Sequence, residues 1–203
     1  MSQIALPLSP ADGRAPARIV AGEGNRAAVE ALQAPDNWPY RTAVLAGPPR
    51  SGKSLLARWF AAQGAGETID GADGWDEAEL FHRWNRAQES GTPLLLVADR
   101  QPWNIALPDL ASRLGAALQL EIGPPDDAMA AELIEAHAEA RGLALGEGAT
   151  TYLVPRIERS HAGIERIVVA IDRLSMERKV PATLGIWRAA LEAVHGPEQG
   201  RLL

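Results

Sequence analysis

The run Gly47-Pro48-Pro49-Arg50-Ser51-Gly52-Lys53-Ser54 constrains this chain more than any other segment. It fits G-x-x-x-x-G-K-[ST], the pattern of a phosphate-binding loop. Its glycines let the backbone curl so that successive N–H groups point inward at phosphate oxygens. Lys53 would set one cation against the β- and γ-phosphates, and Ser54 would offer a hydroxyl to Mg²⁺. The flanks agree with this. Residues 42–46 (TAVLA) read as a short apolar strand, and residues 54–60 (SLLARWF) open a helix. A helix N-terminus has unpaired N–H groups and a partial positive charge, which suit a phosphate. A ligand-free Gly/Pro turn would need none of this context.

Residue usage supports the same reading. The chain has 2 lysines, Lys53 and Lys179, against 18 arginines. Arginine serves almost wherever a cation is needed, so a lysine in the loop points to a demand for a compact ammonium rather than a planar guanidinium. The net charge of −6 argues against a protein that coats nucleic acid by charge alone. A local basic face remains open, because Arg156, Arg159, Arg166, Arg173 and Arg178 fall late in the chain. There is no cysteine, hence no disulfide or thiolate metal site, in keeping with a cytoplasmic protein. No apolar run suggests a membrane span, and no leader is evident. The four histidines, His82, His137, His161 and His195, lie far apart and read as packing or surface residues.

Along the chain, residues 1–17 form an extended tail with little periodicity. A helix is expected over 26–32, a strand over 42–46 and a helix over 53–63, ended by Gly64-Ala65-Gly66. A short strand at 67–70 precedes an amphipathic helix at 76–89, with Leu80, Phe81 and Trp84 at helical spacing. The apolar run at 93–98 reads as a buried strand. A short helix at 107–114 and a strand at 117–122 follow. Alternating strands and helices imply an α/β class with a parallel sheet. After Gly123-Pro124-Pro125-Asp126-Asp127, where Asp126 or Asp127 can cap a helix, only helices are expected: 127–141, 147–157, 162–178 and 182–194. The reading is therefore a tail (1–17), an α/β nucleotide-binding domain (18–123) and a small all-α lid domain (124–203).

An α/β P-loop core followed by a helical lid resembles the AAA+ arrangement, and several segments resemble the DnaA branch, in particular the Hda-type DnaA paralogues that regulate replication initiation. Residues 106–114 (ALPDLASRL) look like that family's L-P-D-L-x-S-R-L segment. Residues 94–100 (LLLVADR) resemble its sensor 1 strand with a trailing Asp-Arg, and residues 76–91 the helix before it. The resemblance implies ADP or ATP as cofactor with Mg²⁺. Gly47, Pro48, Pro49, Arg50, Ser51, Gly52, Lys53, Ser54, Leu55, Asp99 and Arg166 would contact the nucleotide, with Ser54 and Asp70 toward the metal. It implies Arg113 as an arginine finger acting in trans on the nucleotide of DnaA. No helix-turn-helix domain follows the lid, so sequence-specific DNA binding is not expected, and the reading leaves a homodimer open.

At the N-terminus, Gln3, Ile4, Leu6, Pro7 and Leu8 resemble the Q-L-x-L-P-L peptide with which that family binds the replicase's sliding clamp. An extended peptide would offer one amide for hydrogen bonds and three apolar side chains to a groove. From pattern alone, an N-terminal strand buried in its own domain is equally compatible.

Three departures from the family pattern stand out. Only 17 positions separate Lys53 from Asp70, so one edge strand–helix unit appears deleted, leaving about four strands. The acid pair after that strand reads Asp70-Gly71, which lacks the residue that would orient an attacking water, and Asp73 is a poor substitute. Glu165 falls where the family has its sensor 2 arginine, with Arg166 beside it. Nucleotide binding with negligible intrinsic ATPase is the expectation. A nucleotide-free clamp-binding adaptor is the main alternative. A small P-loop kinase ranks lower, because no arginine-rich lid insert precedes residue 124. The tail reading predicts that Gln3→Ala with Leu6→Ala abolishes clamp binding in a pull-down while leaving the melting temperature unchanged. A matching loss of melting temperature would indicate a buried strand instead.

Overall fold

The computed structural model describes residues 18–99 and 102–196, which divide into two compact units. One spans Glu23–Gly123, and the other combines residues 18–22 with 124–196.

The first unit is built on a four-stranded sheet. Its strands are β1 (Thr42–Ala46), β2 (Glu67–Ile69), β3 (Leu94–Ala98) and β4 (Leu118–Glu121). They lie in the order β2-β3-β1-β4, and every pair is parallel. All five residues of β1 and all five of β3 are buried. That explains their unbroken apolar sequences, because a central parallel strand is covered on both faces. The four helices are α1 (Arg26–Leu32), α2 (Lys53–Ala62), α3 (Glu77–Ser90) and α4 (Pro108–Gly115). One core joins Val44, Leu94 and Leu96 of the sheet with Leu80 and Trp84 of α3 and Leu110 and Leu114 of α4. The short link between the phosphate loop and β2 holds α2 alone, and β2 is an edge strand among the described residues.

Helix α3 is fixed at both ends. The Asp76 carboxylate accepts from the Glu79 N–H at 3.0 Å, and Gly91, at φ 67°, closes α3 in the left-handed conformation. Helix α4 has no side-chain cap of its own. Instead, the two oxygens of Glu77 accept from the Ala106 and Leu107 N–H groups at 2.9 and 2.6 Å, which ties the start of α4 to the first turn of α3. Two 3₁₀ turns precede β1, with Tyr40 and Arg41 at φ 49° and 45°. Side chains from the end of α3 and from Arg41 itself hold this bend: Gln88 Nε2 donates to the Tyr40 carbonyl and Arg41 Nη1 to that of Gly91.

The second unit is helical: α5 (Asp127–Glu139), α6 (Ala149–Leu153), α7 (His161–Arg178) and α8 (Leu184–His195). Asp126 is the cap of α5, accepting from the Met129 N–H at 2.8 Å, and Ser160 caps α7. The core is formed by Ile134, Leu153, Ile164, Ile167, Ile171 and Trp187, all nearly inaccessible. The expected helix over 147–157 is shorter. α6 ends at Leu153 and a 3₁₀ turn occupies 154–156, because Pro155 supplies no N–H and obstructs the preceding turn. Among the described residues no helix is long and apolar enough to cross a membrane.

Glu77 generates a test of how α4 is held. Glu77→Ala leaves two N–H groups without their acceptor and should lower stability by about 1–2 kcal/mol in urea denaturation. Glu77→Gln keeps one acceptor and should recover part of the loss.

Candidate functional site

The register Ala46↔Ala98 brings the carboxyl ends of β1 and β3 level. In open α/β sheets that edge is where ligands bind. The loop leaving β1 runs from Gly47 to Gly52 and delivers the chain into α2. Gly47 is required by packing: a Cβ there would come within 2.9 Å of Ile122 Cβ. Arg50 (φ 65°) and Gly52 (φ 88°) are left-handed on either side of Ser51, and such alternation turns backbone N–H groups toward a common concavity. Gly52 is the N-cap of α2, and no side chain caps that end.

Lys53 is buried, its side chain only 6% exposed. Its ammonium has three N–H bonds and three acceptors: the Gly47 carbonyl at 2.9 Å, the Pro48 carbonyl at 3.1 Å and Asp99 Oδ1 at 3.2 Å. The first two come from the loop itself, and the third from the residue after β3. Ser51 Oγ is buried and has no hydrogen-bond partner among the described residues. A buried hydroxyl without a partner is costly, so an acceptor or donor from a bound group would satisfy it. A cation at a helix N-terminus, an orphaned hydroxyl and a left-handed bend together fit a phosphate.

The loop after β2 completes the edge. Asp70 is exposed immediately after the strand. Gly71 has φ 63° and opens a 3₁₀ turn, Ala72–Gly74. A side chain at 71 would be strained in this left-handed conformation, glutamate more than aspartate, so the turn favours glycine at this position. Sequence reasoning set Asp73 aside, yet its Oδ1 accepts from the Asp99 N–H at 2.9 Å. Asp73 thus links the β2 loop to the residue that pairs with Lys53. Its spacing from Asp70 gave no signal of this, because the contact depends on the turn at Gly71. No cluster of three or more His, Asp or Glu side chains forms a metal site among the described residues. Ser54, in the first turn of α2, is also exposed, and together with Asp70 it could contribute to a Mg²⁺ that keeps waters and phosphate oxygens as its other ligands.

Arg113, in α4, lies with its guanidinium 4.7 Å from the Phe81 ring centroid and 4.4 Å from that of Trp84. Its Nη1 donates to Asn85 Oδ1 at 3.2 Å. All three partners belong to α3 of the same unit. Arg166 and Glu165 lie in α7: Arg166 bonds Glu158, and Glu165 is 3.8 Å from Arg141. Gln3, Ile4, Leu6, Pro7 and Leu8 lie outside the described residues.

No family model matches the chain. Solved structures do resemble it. Domain III of the Thermotoga maritima replication initiation protein DnaA superposes with a TM-score of 0.72 at 16% identity, over 88% of this chain and 95% of that one. The fold is that of an AAA+ P-loop domain. DnaA from Aquifex aeolicus, solved with AMPPCP, gives a TM-score of 0.59 at 19% identity over 79% of this chain and 67% of that one. The Holliday junction branch-migration motor RuvB from T. maritima gives 0.59 at 17% identity over 86% and 70%. At these identities the likeness concerns the fold.

The stacking of Arg113 has a measurable consequence. Removing a guanidinium that covers two rings costs about 0.5–2 kcal/mol, so Arg113→Ala should lower the unfolding free energy by that amount. Arg113→Lys, which keeps the charge and loses the plane, should fall between. Both are read by chemical denaturation.

Proposed function

We propose that the chain is a nucleotide-binding regulator of replication initiation, of the kind the DnaA-paralogue resemblance implies. ADP or ATP would bind over Gly47–Leu55, with Lys53 and the first turn of α2 on the phosphates. The buried Lys53 ammonium, held at the mouth of a left-handed loop, is the observation that carries this reading. The bound nucleotide would supply a polyphosphate anion, and the protein's part is to neutralise and orient it. Intrinsic hydrolysis would be negligible, since Gly71 occupies the position of the water-orienting acid. The AMPPCP bound to DnaA of the same fold supports an adenine nucleotide.

The finer parts of the reading rest on motifs. The peptide Gln3–Leu8 would tether the protein to the sliding clamp. Arg113 would reach the γ-phosphate of a neighbouring DnaA–ATP, where an arginine supplied in trans stabilises charge on the transferring group. Its present partners are two rings and one amide oxygen, all in α3, so it would have to leave that seat to act.

Calorimetry with ADP tests the reading. The parent protein should bind, and Lys53→Ala should weaken binding at least about tenfold, or about 1.4 kcal/mol. In a γ-phosphate release assay with DnaA–ATP, clamp on DNA and ADP, the parent should accelerate release and Arg113→Ala should not. Absence of nucleotide binding by the parent would favour the adaptor alternative.

A further inference from the structure

Lys53 has no N–H to spare for a phosphate. Two of its three acceptors are neutral carbonyls of the loop, and the third is the carboxylate of Asp99. The pair is asymmetric, because the lysine side chain is 6% exposed while that of Asp99 is 68% exposed. Asp99 can therefore swing into water at little cost, whereas Lys53 cannot follow it. The main chain of Asp99 is fixed as well: its N–H donates to Asp73 Oδ1 at 2.9 Å, and Ala98 before it is locked in register against Ala46.

We propose that Asp99 is an internal counter-anion that an incoming phosphate must displace from Lys53, and that Asp73 is a positioning residue that holds it there. This rests on the phosphate-site reading above and reverses the role that the family resemblance implies for Asp99. Asp99 would oppose nucleotide binding by occupying the cation beforehand. A phosphate reaching Lys53 breaks the Lys53–Asp99 contact and brings a second anion beside the carboxylate, which then turns outward. The device keeps a buried ammonium paired when no nucleotide is present, a state in which an uncompensated charge would be costly. Asp73, three residues past Asp70, acts through the backbone. It accepts the Asp99 N–H and so sets where the Asp99 side chain begins.

The chain's 2 lysines make the test direct. Protein carrying ¹³C at lysine Cε should give two signals, with Lys53 assigned by the loss of one in Lys53→Arg. In nucleotide-free protein, Asp99→Asn should move the Lys53 signal and leave that of Lys179 in place. Asp73→Ala should move it in the same direction, and Asp73→Asn, which keeps an acceptor oxygen, should resemble the parent. By calorimetry, Asp99→Asn should tighten ADP and inorganic pyrophosphate by about threefold to tenfold, the scale of a partly exposed ion pair. An equal gain for both probes would place the effect on the phosphates rather than the base.

An unmoved Lys53 signal in Asp99→Asn, or weaker ADP binding by it, overturns the proposal. Should the parent bind no ADP while Asp99→Asn does, the counter-anion is supported and the nucleotide reading stands only for the unblocked site. Should neither bind, both fail. A moved Lys53 signal with unchanged affinity also overturns it, since the pair would then exist without opposing the ligand.

Discussion

The parallel pairing of β1 with β3 is the constraint on which the site depends. These two strands are buried along their whole length, and their register ends at Ala46 opposite Ala98. Everything chemical lies one residue further on: Gly47 begins the loop that carries Lys53, and Asp99 faces it from the neighbouring strand end. A slip of one residue would reverse the facing of every side chain in a strand and take Asp99 away from the ammonium. Apolar burial in the sheet thus sets the geometry of a charged site that it does not touch.

The departures from the AAA+ pattern look different once the backbone is seen. The chain turns left-handed at the position after Asp70, a conformation that suits its glycine. The same turn brings Asp73 to the end of β3. An acid is therefore missing from one position and present at another, where it bonds a backbone N–H. With four strands in the order β2-β3-β1-β4, both β1 and β3 have neighbours on each side.

Arg113 shows how one motif can serve packing as well as chemistry. Glu77 ties the start of α4 to α3, and Phe81, Trp84 and Asn85 on α3 receive the guanidinium. A cation on two aromatic faces is a stabilising arrangement by itself. Any role toward a neighbour competes with that seat. The energy of leaving it is a property of α3, not of the L-P-D-L-x-S-R-L segment that drew attention to Arg113.

Periodicity and capping residues carried most of the fold in the linear sequence. The unbroken apolar runs of β1 and β3 marked strands, Asp126 stood at a helix start, and Gly52-Lys53-Ser54 marked the phosphate loop. These signals are local, arising from side-chain burial and backbone satisfaction within a few residues. The shortened α6 was also legible at Pro155, which the helical reading passed over. What tertiary structure alone decided were the partners of charged groups: Asp99 on Lys53, Asp73 on the Asp99 backbone, Arg113 on Phe81 and Trp84, Glu165 near Arg141. Ion pairs and ring contacts join residues far apart in sequence and depend on strand order, register and turn conformation. The sequence by itself could say which groups were charged, while only the folded chain could say which of them met.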